Sequence, residues 1–60
     1  MAEEILLVDD EQEYLEAMTF RLEARGFAVT TVTSAGQAIK KVSNQSFLAV
    51  IMDYQLPGMD

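Results

Sequence analysis

The chain has 60 residues, a formal net charge of −6 from ten acidic and four basic residues, and neither cysteine nor histidine. A chain this short holds one small domain at most, and its negative charge argues against nucleic acid or an anionic membrane as a partner of this segment. The missing residue types exclude disulfides, histidine catalysis and the commonest zinc sites, and they indicate a reducing compartment.

The first predicted strand, Ile5 to Val8, is apolar at every position, so we expect both of its faces to be covered. The acidic flanks of this short run fit neither a signal peptide nor a membrane span, and a cytoplasmic protein is therefore expected. A helix is predicted from Gln12 to Arg25, with Asp10 as its N-cap and Glu13 as capping-box partner. Gly26 should end this helix. Its apolar stripe consists of Tyr14, Leu15, Met18 and Leu22.

Phe20 lies off that stripe, and an isolated exposed aromatic is favoured over a contact site. The alternation in Phe27 to Val32 predicts a second strand, and its threonines favour the edge of the sheet. A second helix follows, with Ser34 as N-cap and Gln37 closing a capping box. The apolar positions of this helix are Ala35, Ala38, Ile39 and Val42.

The third predicted strand, Phe47 to Met52, is a run of six apolar residues that leads directly into Asp53. Such a run is typical of a strand buried on both faces. The chain then turns at Pro57 and Gly58, since proline lacks a donor and glycine permits positive φ. Asp53 thus follows the carboxyl end of a strand, where open α/β sheets place their ligand sites. Taken alone, Asp53 is equally well explained as a loop cap.

The order β-α-β-α-β, with right-handed crossovers, predicts a parallel sheet of the α/β class. The first strand is followed by Asp9 and Asp10, and the third by Asp53. If these two strands are neighbours, the strand order is 2-1-3, which is the N-terminal half of a flavodoxin-like, doubly wound sheet. The three carboxylates would then converge above adjacent strand ends.

Three neighbouring carboxylates repel one another, and such a cluster is usually retained for a hard cation. Because the chain offers oxygen ligands but no histidine or cysteine, the cluster points to Mg²⁺. Mg²⁺ beside a free carboxylate suits phosphoryl transfer, in which the metal neutralises the phosphoryl oxygens while an aspartate attacks and forms an acyl phosphate.

The motifs LLVDDE and DYQLPGMD, with an aspartate that ends the third strand, closely resemble the receiver domain of two-component response regulators. The resemblance covers residues 1–60 and implies the N-terminal half of that domain. It implies that Asp53 is the phosphoacceptor and that a sensor histidine kinase or a phosphotransfer protein is the phosphodonor. The implied Mg²⁺ ligands are Asp9, Asp10, Asp53 and the backbone carbonyl of Gln55.

The chain departs from the family in length, since a complete receiver domain has about twice as many residues. In the family, the second half carries a Ser/Thr hydroxyl and a lysine that bind the phosphoryl group. Receiver domains catalyse their own phosphorylation and dephosphorylation, so a truncated chain without these groups is expected to hold little stable phosphate. Lys40 and Lys41 belong to the second helix and are not expected to replace the family's lysine.

Two other functions follow from the same sequence. The first is structural: a half-domain that completes its core with another copy or another fragment, which predicts a homo-oligomer joined through the third strand. The second, a Mg²⁺-dependent phosphohydrolase with an aspartate nucleophile, fits less well. Such enzymes usually carry an acid two residues after the nucleophile, where this chain has Gln55.

Overall fold

The computed structural model describes residues 2–52, whose elements follow in the predicted order. They are β1 (Glu4–Val8), α1 (Gln12–Ala24), β2 (Ala28–Val32), α2 (Ala35–Asn44) and β3 (Ala49–Met52). The strands form a three-stranded parallel sheet in the order β2-β1-β3. The predicted α/β class and 2-1-3 order are therefore confirmed, and they are consistent with part of a flavodoxin-like fold. Neither described helix is long and apolar enough to cross a membrane.

The core lies on the two faces of β1, the central strand of the described sheet. One face carries a cluster of Leu6, Val8, Val32 and Ala38, and the other a cluster of Ile5, Leu7 and Leu15. From Ile5 to Val8, no side chain of β1 is more than 5% exposed. The prediction that both faces of this strand are covered is thus confirmed, because α2 covers one face and α1 covers the other.

The start of α1 differs from the prediction. The N-cap is Glu11, whose side chain makes no capping hydrogen bond, so the assignment of Asp10 as N-cap is wrong. The Glu11 N–H instead donates to Oδ1 of Asp9 at 2.7 Å. An aspartate commonly accepts the backbone N–H two residues further on, and this bond ties the start of the helix to the end of β1.

The end of α1 follows the predicted pattern. Gly26 has a φ of 95°, in the left-handed region that favours glycine. Its N–H donates to the carbonyl of Glu23 at 3.0 Å, and the N–H of Phe27 donates to the carbonyl of Leu22 at 3.1 Å. This pair of bonds is the Schellman arrangement. The helix itself ends at Ala24, one residue before the predicted end.

The start of α2 has the predicted N-cap. Oγ of Ser34 accepts the N–H of Gln37 at 3.2 Å. Oε1 of Gln37 accepts the backbone N–H of Thr33 at 2.9 Å and the Thr33 hydroxyl at 3.2 Å. A regular capping box would direct this return bond to the N-cap residue itself. The predicted cap is confirmed, and the return bond reaches Thr33 rather than Ser34.

Ser34→Ala is expected to lower the free energy of unfolding by about 1 kcal/mol, because the N–H of Gln37 loses its acceptor. The matched control is Ser43→Ala, since Ser43 is exposed and its hydroxyl bonds only to the Ile39 carbonyl of the same helix. That control should change the free energy of unfolding by less than about 0.5 kcal/mol. Urea unfolding followed by circular dichroism measures both. Equal losses would mean that the cap contributes nothing specific.

The third strand is less buried than predicted. Ala49 and Val50 are exposed, while Ile51 and Met52 are half-buried, so the prediction of a strand covered on both faces is wrong for the described residues. Leu48 is 58% exposed and Val50 is 47% exposed. The physical reason is position: β3 lies at the edge of the described sheet, and the two described helices pack mainly on β1 and β2.

Candidate functional site

The carboxyl ends of β1 and β3 lie side by side. Val8, the last residue of β1, pairs with Met52, the last residue of β3. In the sequence, Asp9 follows Val8 and Asp53 follows Met52. Asp53 and Gln55 lie outside the described residues, so their predicted convergence with the first pair of aspartates stays a prediction.

Asp9 is the only buried polar or charged side chain within residues 2–52, and it is 2% exposed. Its N–H donates to the carbonyl of Val32 at 3.2 Å, which extends the pairing of β1 with β2 by one residue. Its Oδ1 accepts the Glu11 N–H at 2.7 Å. These bonds fix the side chain at the end of the central strand. By contrast, Asp10 is exposed.

The second oxygen of Asp9, Oδ2, is buried and has no hydrogen-bond partner among the described residues. A buried polar atom without a partner costs about 1–3 kcal/mol, and more when the group is charged. Such an atom in a native structure calls for an explanation, and an ion that it coordinates is one. The observation therefore singles out Oδ2 as a position where a cation would be stabilising.

The oxygen ligands at the carboxyl ends of the strands fit a hard cation. Asp9 and Asp10 offer carboxylate oxygens, which Mg²⁺ prefers, and they come from consecutive positions. Within the described part of the chain, no group of three or more acidic, histidine or cysteine side chains could hold a metal ion. Any Mg²⁺ site here therefore needs further oxygen ligands besides these two carboxylates.

No hydrogen bond joins Lys40 or Lys41 to the Asp9 carboxylate in the described structure. The helix α2 leads from the carboxyl end of β2 back to the amino end of β3, and Lys40 and Lys41 belong to its second half. Just beyond this helix, the side-chain amide of Gln45 donates to the carboxylate of Glu4 at the start of β1. Lys40 and Lys41 thus belong to the half of α2 that leads away from the carboxyl ends of the strands, and both line a pocket with Thr31 and Val32. That they do not replace the family's lysine stays a prediction.

The bond between Asp9 and the start of α1 was missed in the sequence analysis. The sequence did contain a pattern that indicates this bond, because an aspartate two residues before a free backbone N–H is a common local acceptor. Two adjacent aspartates compete for that role, and the spacing of Asp10 to Glu13, which matches a capping box, favours Asp10 in the sequence. The structure assigns the local hydrogen bond to Asp9.

The chain matches the family model described as "Response regulator receiver domain" over residues 5–60. Among curated proteins, the chain is similar to the alkaline phosphatase synthesis transcriptional regulatory protein PhoP of Bacillus subtilis, with 32% identity over 60 residues. It is also 37% identical over 59 residues to the C4-dicarboxylate transport transcriptional regulatory protein DctD of Rhizobium meliloti. The response regulator protein FleR of Pseudomonas aeruginosa is 37% identical over 60 residues.

These alignments cover nearly all of the chain but a small part of each relative. They include 100%, 98% and 100% of the chain, respectively, and 25%, 13% and 13% of the three relatives. The chain thus spans a quarter or less of the length of these proteins. No solved structure matches it significantly.

Proposed function

The chain belongs to the response regulator receiver domain family of two-component signalling, and from that premise we propose that it accepts a phosphoryl group on Asp53 with Mg²⁺ bound beside it. The observation that carries the proposal is Asp9, a buried carboxylate whose Oδ2 has no partner among the described residues. The pairing of Val8 with Met52 supports a role for the next residue of each strand in one common site.

In this proposal, the Mg²⁺ ligands are Asp9, Asp10, Asp53 and the backbone carbonyl of Gln55. The metal, when bound, supplies charge neutralisation for the phosphoryl oxygens. The hydrogen bond from the Glu11 N–H holds Oδ1 of Asp9, so that Oδ2 remains available as a ligand. The absence of a partner for Oδ2 among the described residues supports these separate roles of the two oxygens.

The phosphodonor that we propose is a phosphohistidine on a sensor histidine kinase or a phosphotransfer protein, in the cytoplasm. An oxygen of the Asp53 carboxylate attacks phosphorus, and a phosphorus–oxygen bond forms as the phosphorus–nitrogen bond breaks. The histidine nitrogen leaves with the electron pair of the broken bond. The product is an acyl phosphate on Asp53.

Labelling with radioactive acetyl phosphate and Mg²⁺ tests the phosphoacceptor. We expect label on Asp53 alone and no label in Asp53→Asn, because the variant lacks the attacking carboxylate. The amount should be small, since neither described lysine bonds to the Asp9 carboxylate and electrostatic positioning carries most of such catalysis. The matched control is Glu13→Gln, which removes an exposed acid of α1 and should label like the parent. Label retained by Asp53→Asn would rule out Asp53 as the acceptor.

A second candidate function is self-association, and the exposed apolar residues around β3 favour it. They are Leu48, just before the strand, and Val50 within it, which are 58% and 47% exposed. The strand Ala49–Met52 carries no charged residue, so a second copy could pair with its outer edge without bringing like charges together there. The net charge of −6 opposes association, but over distances that salt screens, whereas strand pairing acts by contact.

Analytical ultracentrifugation tests this second candidate. We expect a discrete dimer at micromolar concentrations, related by a two-fold axis through β3. Val50→Glu should shift the equilibrium to monomer, because the symmetry brings two added charges to one interface. Thr31→Glu is the matched control, since it adds the same charge at the exposed opposite edge of the sheet. A parent chain that sediments as a monomer and unfolds cooperatively would refute self-association.

A further inference from the structure

A groove separates α1 from β2, on the side of the sheet away from β3. Its volume is about 350 Å³, and the lining residues that bear on its chemistry are Glu16, Thr19, Phe20, Glu23, Val29 and Thr31. Phe20 forms one wall and is 77% exposed, the highest value among the exposed large hydrophobic residues of the described chain. Covering a large aromatic side chain in this position with a partner is energetically favourable.

Polar groups beside the groove lack partners in the described structure. Oγ1 of Thr19 is buried and makes no hydrogen bond within the described chain. Along β2, the Ala28 N–H donates to Glu3 and the Val32 carbonyl accepts from Asp9, so these alternate residues direct their backbone groups towards β1. The backbone groups of Val29 and Thr31 consequently point away from the sheet. Because β2 ends the strand order, this edge is open in the described structure.

The negative charge of the groove favours a basic partner over a second copy of the chain. Glu16 and Glu23 line it, and none of its lining residues is basic. A second copy of the chain would bring the same acids from both molecules together. The basic residues of the chain also lie in or next to helices, so the chain offers no basic strand of its own. These features favour an extended and basic segment from a different protein.

We propose that the groove between α1 and β2 binds an extended segment of a partner protein, rich in lysine or arginine, which adds as a strand to the β2 edge. Strand addition supplies main-chain hydrogen bonds to Val29 and Thr31, while side-chain pockets supply the specificity. An apolar side chain of the segment covers Phe20. Its basic side chains pair with Glu16 and Glu23.

A synthetic peptide with the sequence KVKFKVK, blocked at both ends, is the probe. In an NMR titration of the isotope-labelled 60-residue chain, we expect the largest shifts at the amides of Val29 and Thr31. Phe20→Ala should weaken binding about tenfold or more, since the main apolar contact is lost. Ile39→Ala is the matched control, because Ile39 is 64% exposed on the other helix and does not line the groove. It should bind like the parent.

Two further arms separate strand addition from attraction by charge alone. A peptide of the same sequence, N-methylated at every residue, cannot donate main-chain hydrogen bonds from either edge and should bind at least about tenfold more weakly. The charge-reversed peptide EVEFEVE should not bind measurably. Equal binding by the N-methylated peptide, unchanged binding by Phe20→Ala, or shifts confined to other parts of the chain would each overturn the proposal. The exposure of Phe20 means that its removal leaves the fold intact, which the spectrum of the variant checks directly.

Discussion

Leu6→Ala should leave a large part of the chain unfolded at room temperature. Leu6 is 0% exposed and lies in the central strand, in the cluster that joins the sheet to α2. Truncation of a fully buried leucine costs about 2–5 kcal/mol through lost transfer energy and the cavity left behind. The free energy of unfolding of a domain of this size is small, because small domains bury a smaller fraction of their surface and total stabilities start at about 5 kcal/mol. Urea unfolding followed by circular dichroism measures the loss.

The control for this prediction is the same substitution at an exposed position. Leu48→Ala removes the same atoms, but Leu48 is 58% exposed in the described structure, and the free energy of unfolding should change by less than about 1 kcal/mol. The contrast separates the effect of burial from the effect of composition. Similar losses in the two variants would mean that the segment before β3 is covered in solution, by self-association or otherwise.

The elements of this fold were predictable because several of their boundaries have a local cause. Ser34 supplies an acceptor for the free N–H groups of α2, and Gly26 adopts the positive φ that ends α1. The central strand was identified for a different reason. Every residue from Ile5 to Val8 is apolar, which indicates a strand with no solvent-facing side. The handedness of the crossovers predicted a parallel sheet, and the 2-1-3 order was predicted on the condition that the two strands followed by aspartates are neighbours.

The burial of β3 was not predictable from the same kind of pattern. An apolar run shows which environment a strand suits, but it does not show which segments are present to cover that strand. The described helices cover the sheet around β1, and Val50 remains 47% exposed although its neighbour in the sheet, Leu6, is fully buried. Sequence patterns report the preference of a residue, whereas exposure also depends on the rest of the molecule.

At the candidate site, the residue types were predictable and their division of roles was not. Asp9 and Asp10 are chemically identical, and either can accept a hydrogen bond from the first turn of a helix. The choice depends on a tertiary contact: the N–H of Asp9 bonds to Val32, so the strand pairing continues through this residue and turns its side chain towards the start of α1. No local pattern in the sequence carries that information.

The same division of roles leads to a prediction in which two similar substitutions have different effects. Asp9→Asn should raise the melting temperature of the metal-free chain, because it removes a buried charge whose Oδ2 has no partner in the described structure. The asparagine Oδ1 can still accept the Glu11 N–H, so the bond to α1 is kept. Relief of about 1 kcal/mol corresponds to about 4–8 °C in a domain of this size. Asp10→Asn should leave the metal-free melting temperature nearly unchanged, since Asp10 is exposed.

Mg²⁺ should reverse the order of the melting temperatures of the parent chain and Asp9→Asn. A cation that binds the folded chain stabilises it by mass action, so millimolar Mg²⁺ should raise the melting temperature of the parent. Asp9→Asn and Asp10→Asn should both reduce that rise, because each removes a carboxylate from the proposed ligand set. Glu13→Gln, which removes an exposed acid of α1, should keep the full rise. Equal Mg²⁺-induced shifts in all four proteins would refute the carboxylate site. A lower metal-free melting temperature for Asp9→Asn would instead show that the Asp9 charge is compensated without a metal.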